Sequence, residues 1–258
     1  MKYPEEKREF IAGRNAVAEA LKAGQTLNAL YIAAGERQGS ISHLVAMARE
    51  QGVVIKEVSP KKLDFLCGHM AHQGVVATIS AAEYATVADI LQRAADKGEK
   101  PFLLAADEIE DPHNLGALIR TAEAAGVHGV LIPKRRSVQL TAAVYKASAG
   151  ALSYMPVARV QNLAGTLDEL KKQGIWVYGA DMDGQNWCSV DYTGGCCLVV
   201  GSEGQGIGRL IRDKCDVMVS LPMAGQVNSL NASVAGGILL YEIARQRQAL
   251  PAYHPAGR

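Results

Sequence analysis

The chain has 258 residues, 48% of them hydrophobic, enough for one large domain or two modest ones. A net charge of +1 and an aromatic content of 5% exclude a chain that holds nucleic acid through a global basic field or extensive base stacking, so such a partner would need a local patch such as Lys134-Arg135-Arg136. The polar opening MKYPEEKREF predicts no signal peptide, no apolar run reaches the ~18 residues of a membrane span, and five cysteines without a C-x-x-C pair predict reduced thiols in a cytoplasmic protein.

In chain order, residues 10–80 alternate helix and strand signals. NAVAEALKAG reads as a helix ending at Gly24 and NALYIAA as a short strand. SISHLVAMAREQG reads as a helix with Ser40 as cap and Gly52 as stop, followed by the strand VVIKEV. SPKKLDFLCG starts a helix with Ser59 as cap and Pro60 in the first helical position. GVVATIS closes the unit as a strand. Residues 1–80 are therefore read as a small α/β domain. The Ala-rich, charged stretch 81–100, ending in DKGEKP, is read as a linker or linking helix.

From residue 101 to 258 the alternation restarts with stronger strands: FLLAAD, GVLIP, YMPVARV, IWVYGAD, CCLVVG and DVMVSLP. Helical patterns such as NLGALIRTAEAAG and NLAGTLDELKKQG lie between most of them. Near-continuous apolar strands separated by helices predict a parallel sheet covered on both faces. Such sheets place ligands at the carboxyl ends of their strands, and three of those ends carry unusual residues. After FLLAAD, a Pro112-His113-Asn114 turn opens a helix with Asn114 as its cap, and Arg120 follows on the second turn. Taken alone, this is a capped helix with a surface arginine. After CCLVV comes GSEGQGIG, where Gly201 begins a stretch with four glycines in eight residues and Glu203 stands among them. It lacks the Lys-Ser/Thr pair of a P-loop and the strand context and acidic partner of a dinucleotide fingerprint, which disfavours a dehydrogenase.

The third strand end is LPMAGQVNSLNASVAGG, running into a helix predicted over 229–247. Two glycines inside a helix cost roughly 1 kcal/mol each relative to Ala, so something must pass close to that helix start. Leu221, Pro222, Met223 and Leu230 form an apolar bracket, and Ser229 and Asn231 add polar groups beside the helix amides. The combination suits a flat heteroaromatic ring such as adenine. Tight helix packing accounts for the small residues equally well.

DPHNLGALIRTAEAAG, LVVGSEGQGI and LPMAGQVNSLNASVAGG together resemble the three motifs of the SpoU (SPOUT) family of RNA ribose 2'-O-methyltransferases, in the family's order and spacing. GRNAVAEAL and HQGVVATIS resemble the substrate-binding domain of its ribosomal RNA branch, closest to the enzymes that methylate guanosine in 23S ribosomal RNA. Asn228 departs from the acidic residue many members carry. The resemblance implies a deep trefoil knot in the C-terminal parallel-sheet domain, an exception to unknotted topology, and an RNA-binding N-terminal α/β domain. It also implies a homodimer and S-adenosylmethionine as cofactor, with contacts at Gly201, Leu221 and Leu230 and with Met223, Ala180 and Ser229 as neighbours. Asn114, Arg120, Glu203 and Asn231 match the family's functional polar positions. Arg120 resembles the residue proposed as base, although a guanidinium gives up its proton reluctantly and is better suited to anchoring phosphate. No Cys/His cluster suggests a metal. A transfer RNA 2'-O-methyltransferase of the same family and an RNA-binding protein with an inactive site are the competing readings.

Overall fold

The computed structural model describes residues 9–23, 27–35, 39–68, 70–79, 84–227 and 229–251. The chain divides into two units, one of residues 1–83 with 139–154 and one of residues 84–138 with 155–258.

The first unit begins with β1 (Glu9–Ala12), a strand that EFIA is too short to announce, and α1 (Arg14–Lys22). Ala16, Val17, Ala20 and Leu21 recur at helical spacing and are the buried face of α1. There follow β2 (Leu27–Ala33), α2 (Ser40–Glu50), β3 (Val54–Val58), α3 (Pro60–Leu66) and β4 (Val75–Ile79). The four strands order as β1-β4-β2-β3, with β2 and β3 parallel and the other two pairings antiparallel. Ser40 is not the cap of α2. Gly39 at φ 66 holds that place and Ser40 is the first helical residue, because the chain enters from the left-handed region that glycine tolerates. Ser59 does precede Pro60 at the start of α3. Gly24 and Asn228 lie outside the described residues.

The stretch 81–100 is not simply a linker. From Thr86 onward it carries α4 (Val87–Asp96), closed by a capping box in which Asp89 N donates to Thr86 Oγ1 and Thr86 N donates to Asp89 Oδ2. Val87, Ile90, Leu91 and Ala94 fall at i, i+3, i+4 and i+7. Ile90 is fully buried in one core with Leu103, Leu131, Leu167 and Val199, so α4 belongs to the second unit.

That unit continues with β5 (Phe102–Ala106), α5 (Pro112–Ala124) and β6 (Gly129–Pro133). Next comes α6 (Ala142–Ala147), which packs on β1 and counts with the first unit, with Val144 and Tyr145 buried. The chain then runs β7 (Val157–Val160), α7 (Leu163–Lys172), β8 (Ile175–Asn186), β9 (Gly195–Val200), α8 (Arg209–Arg212), β10 (Val217–Ser220) and α9 (Ala232–Arg247). The six strands are all parallel, in the order β10-β8-β9-β5-β6-β7. Phe102 to Ala106 and Cys196 to Val200 are buried throughout, as strands covered on both faces require.

Helix α9 packs on α5, burying Leu239, Leu240 and Ile243. Each such side chain contributes roughly 1.5–3 kcal/mol relative to exposure. Gly236 marks the crossing: a Cβ there would stand 2.6 Å from Leu118 Cδ2 and 3.2 Å from Val200 Cγ2. Gly237 is under no such pressure, its nearest neighbour being Thr121 Cγ2 at 3.5 Å. Among the described residues no helix is long and apolar enough to cross a membrane.

Candidate active site

The carboxyl ends of β8, β9 and β10 open on a cavity of about 750 Å³. A break in strand pairing makes one wall. Tyr178 and Gly179 of β8 pair with Val217 and Met218 of β10, and the next pair is Gln185 with Val219. Residues 180–184 therefore bulge out of the ladder, and Ala180, Asp181 and Met182 line the cavity. Gly184 permits the return, since a Cβ on it would lie 2.6 Å from the Met218 backbone. Asp181 fixes the bulge: its Oδ1 accepts from Met182 N at 2.6 Å, and its Oδ2 is ion-paired with Arg212. Sequence reasoning reached only Ala180 here. Asp181 and Arg212 stand 31 positions apart and carried no signal that they pair.

The glycine-rich turn after β9 makes the second wall. Ser202 N donates to Gly206 O at 3.0 Å and Gly206 N to Ser202 O at 2.9 Å, closing a small loop with Gly204 and Gly206 at φ 86 and 66. Gly201 is glycine because a Cβ would stand 2.1 Å from the Gly206 carbonyl carbon. The missing side chain thus serves the closure of the loop on itself. Glu203 projects from the loop.

The third wall is the segment after β10. Leu221, Met223, Ser229 and Leu230 line the cavity, and Met223 and Leu230 keep 39% and 40% of their surface exposed there, an apolar face without a partner. Helix α9 starts at Ala232, later than residue 229, because Asn231 is its cap: Asn231 Oδ1 accepts from Ser233 N at 3.0 Å and Val234 N at 3.2 Å. That orientation turns the amide NH₂ outward, where Asn231 Nδ2 donates to Asn114 Oδ1 at 2.9 Å and to Glu203 Oε1. Asn114 Nδ2 donates to the same Glu203 oxygen at 3.1 Å. Asn114 is not the cap of α5. Asp111 caps it, accepting from His113 N at 3.0 Å, which frees the half-turned, buried Asn114 to face Glu203.

Three of the four polar residues are thus joined in one network, and Gly201, Leu221, Leu230, Met223, Ala180 and Ser229 all line one cavity. Arg120 stands apart. Six residues beyond Asn114, it lies about 240° round the helix and about 9 Å along it, on the third turn. It is exposed, with no hydrogen bond or ion pair among the described residues.

The charged side chains lining the cavity are Asp181 and Glu203; no lysine or arginine lines it among the described residues. Asp181 is paired with Arg212, so the charge these walls present is that of Glu203, which serves a cationic ligand better than an anionic phosphate. The cysteines are free, and burial pushes the Cys196 and Cys215 thiols up to about 12, which disfavours the thiolate at those two positions. Among the described residues no group of three or more His, Cys, Asp or Glu side chains is placed to hold a metal ion.

Residues 101–241 match the SpoU rRNA Methylase family, and residues 10–85 match the family described as RNA 2'-O ribose methyltransferase substrate binding. A Bacillus subtilis protein named "Putative TrmH family tRNA/rRNA methyltransferase YacO" is 49% identical over 243 residues, covering 94% of this chain and 97% of its own. The solved SpoU methyltransferase AviRb from Streptomyces viridochromogenes, in complex with the cofactor AdoMet, is 26% identical. It superposes with a TM-score of 0.80 over 94% of this chain and 91% of its own. A TrmH/SpoU tRNA modifying enzyme of A. aeolicus is 31% identical, with a TM-score of 0.52, and covers 62% of this chain and 83% of its own. With motifs, cavity and both domain matches in agreement, the chain belongs to the SpoU rRNA methylase family.

Proposed function

We propose that this protein transfers the methyl group of S-adenosylmethionine to a ribose 2'-oxygen of RNA, in the cytoplasm, with a guanosine of 23S ribosomal RNA as target. The observation that carries the reading is the cavity itself. Its volume falls in the range of small-molecule sites, its exposed Met223 and Leu230 offer an apolar slot for adenine, and its charged walls are Asp181 and Glu203. The Glu203 carboxylate, bonded to neutral amides, suits a ligand bearing ammonium and sulfonium charges and disfavours a dinucleotide, whereas the Asp181 charge is already paired with Arg212. AviRb, solved with AdoMet, has the same fold.

When bound, the cofactor supplies an electrophilic methyl group on sulfonium. The chain's own residues do the positioning, which is a large part of such catalysis. Leu221, Leu230 and Met223 would bracket the adenine, with Gly201, Ala180 and Ser229 beside it. Glu203, held by the amides of Asn114 and Asn231, presents a fixed carboxylate at the mouth of the cavity. Arg120, exposed and without a side-chain partner among the described residues, would anchor an RNA phosphate and stabilise charge developing on the attacking oxygen.

The knot belongs to this reading, and the close passage of Gly236 beside Leu118 and Val200 supports it. So does a homodimer: Val234, Ile238 and Tyr241 lie at i, i+4 and i+7 on α9 and are 50%, 37% and 55% exposed, an apolar stripe that a second copy would cover. The ribosomal target rests on the substrate-binding match at residues 10–85 and on the motif resemblance, and the A. aeolicus tRNA enzyme aligns with only 62% of the chain. The intact Asn114–Glu203–Asn231 network speaks against an inactive RNA-binding protein. Calorimetry should show S-adenosylmethionine binding and no NAD binding. Incubation with 23S ribosomal RNA and with transfer RNA, followed by mass spectrometry, should place a new 2'-O-methyl group in the former. NAD binding without S-adenosylmethionine binding would overturn the reading, and methylation of transfer RNA alone would overturn its ribosomal part.

A further inference from the structure

A second depression of about 400 Å³ opens at the carboxyl ends of β5, β6 and β7, on the same edge of the sheet as the cavity. Three of its lining residues are Arg135, Arg136 and Arg209. Arg135 and Arg209 are exposed and have no hydrogen-bond, ion-pair or ring partner among the described residues. Two carboxylates share the crevice, Glu108 in an ion pair and the buried Asp107 in a hydrogen bond to a backbone amide. Glu108 Oε1 pairs with Arg136 Nη1 at 3.0 Å, and Asp107 Oδ2 accepts from Gly208 N at 2.9 Å. In a chain whose net charge is +1, unpaired guanidiniums gathered in one crevice are the local patch that the composition demands of any RNA partner.

Arg209 opens helix α8, and the loop that carries Arg135 and Arg136 is built rigidly. Lys134 N donates to Val160 O at 2.8 Å and Val138 N to Ile109 O at 2.9 Å, so both ends are strapped to neighbouring strand ends. Glu108 and Arg136, the ion-paired residues, are both non-glycine residues in the left-handed region, at φ 53 and 55. Strain of this kind gathers at functional sites. The crevice also faces the start of α7, whose cap Asn162 and first residues Leu163 and Ala164 line it, adding the positive end of a helix dipole.

The crevice and the cavity share two loops. The loop 201–208 carries Glu203 on the cavity side and ends at Gly208 in the crevice. The loop 107–111 lines the crevice with Asp107 and Glu108 and ends at Asp111, which caps the helix bearing Asn114. We infer that the crevice of Arg135, Arg136 and Arg209 grips the phosphodiester backbone flanking the ribose presented at the Asn114–Glu203–Asn231 network. It is an RNA-backbone site distinct from the cofactor cavity, reading charge and not sequence. The identity of the polyanion as RNA rests on the function proposed above.

The test uses the full-length protein and a 20-nucleotide polyuridine strand, whose contacts are to backbone and not to a particular sequence. The salt dependence of binding is compared for wild type, for R135A/R136A/R209A, and for K97A/K100A/K172A, which removes the same charge from the opposite edge of the sheet. Each lost phosphate contact on a single strand reduces the magnitude of the slope of log K against log salt by about 0.7, so the two unpaired guanidiniums, Arg135 and Arg209, account for a drop of about 1.4. The crevice variant should show that drop while its S-adenosylmethionine affinity and melting temperature stay at wild-type values, and the opposite-edge variant should keep the wild-type slope. An unchanged slope in the crevice variant, or an equal drop in the opposite-edge variant, overturns the inference. Loss of S-adenosylmethionine binding alongside the slope would place the arginines in the cofactor site and overturn it too. Guanosine monophosphate binding that depends on the three arginines, with the polyuridine slope unchanged, would assign the crevice to a free nucleotide and likewise overturn it. Failure of the methyltransferase reading shows separately, as absent S-adenosylmethionine binding in wild type, and leaves the slopes readable.

Discussion

Replacing Gly236 by alanine tests the helix crossing that carries the candidate site. The added Cβ would stand 2.6 Å from Leu118 Cδ2 and 3.2 Å from Val200 Cγ2, against the 3.4 Å at which ordinary contact begins. Leu118 is fully buried, so its side chain has no open space to yield into. Overpacking of this kind costs about 1–3 kcal/mol. Alanine in place of glycine returns about 1 kcal/mol of helix propensity. The net expectation is a loss of about 0–2 kcal/mol, too small to interpret alone. A double-mutant cycle separates the terms. Leu118→Val removes the δ carbons that the new methyl strikes and costs about 1 kcal/mol by itself. Combined with Gly236→Ala it should cost less than the two singles together, with a coupling of at least about 0.5 kcal/mol. Urea unfolding of the four proteins measures the cycle. Strict additivity would refute the close crossing as the reason for glycine at 236, whatever the single-mutant costs.

Three further outcomes follow from the site and the core. Leu230→Arg places a charged, longer side chain in the apolar slot and should reduce S-adenosylmethionine binding at least 100-fold by calorimetry, about 2.7 kcal/mol, and near-wild-type affinity would remove Leu230 from the cavity's function. Arg120→Ala should abolish methyl transfer while leaving cofactor affinity within about twofold, and Arg120→Lys should rescue only in part, because a point charge does not reproduce the planar fork; wild-type turnover in Arg120→Ala would dismiss both its roles. His128 is fully buried and accepts from Phe102 N through Nδ1 at 3.0 Å. Burial holds it below its ordinary value of 6.5 despite Glu99 nearby, so the unfolded chain takes up the proton first. Its contribution to stability is complete above about pH 6.5 and falls as pH drops from there through the lower folded value, by up to about 1.4 kcal/mol per pH unit. Unfolding free energies at pH 7.5 and 5.5 should show the loss in wild type and a smaller one in His128→Gln, and an imidazole resonance titrating above 6.5 would contradict it.

Much of the second unit could be read directly. Apolar runs such as FLLAA and CCLVV are buried on both faces, and that burial is visible locally because every residue of such a strand must be apolar. The meeting of two unusual strand ends was legible for the same reason: parallel strands bring their carboxyl ends to one edge, so Gly201 had to meet Leu221 and Leu230 there, whereas Ala180 was reached only through the family resemblance. The start of α4 was written in its capping box, but its place in the core was not, because Ala-rich charged sequence also suits an exposed connector.

Tertiary structure decided what depends on partners distant in sequence. Asn231 reaches Asn114 across 117 positions and Glu203 across 28, and its role as cap and clamp together follows from which amide atom α9 claims. Gly201 looked like an opening for a ligand, yet its missing Cβ is demanded by Gly206 of its own loop. Residues 139–154 interrupt the second unit in sequence and pack with the first, where α6 lies on β1. Arg120 shares a helix with Asn114 but not a face, since six residues of helix do not complete two turns. Hydrophobic period reports which side of an element is buried; which element buries it, and which polar atoms are left pointing at one another, is settled by chain closure over a hundred residues.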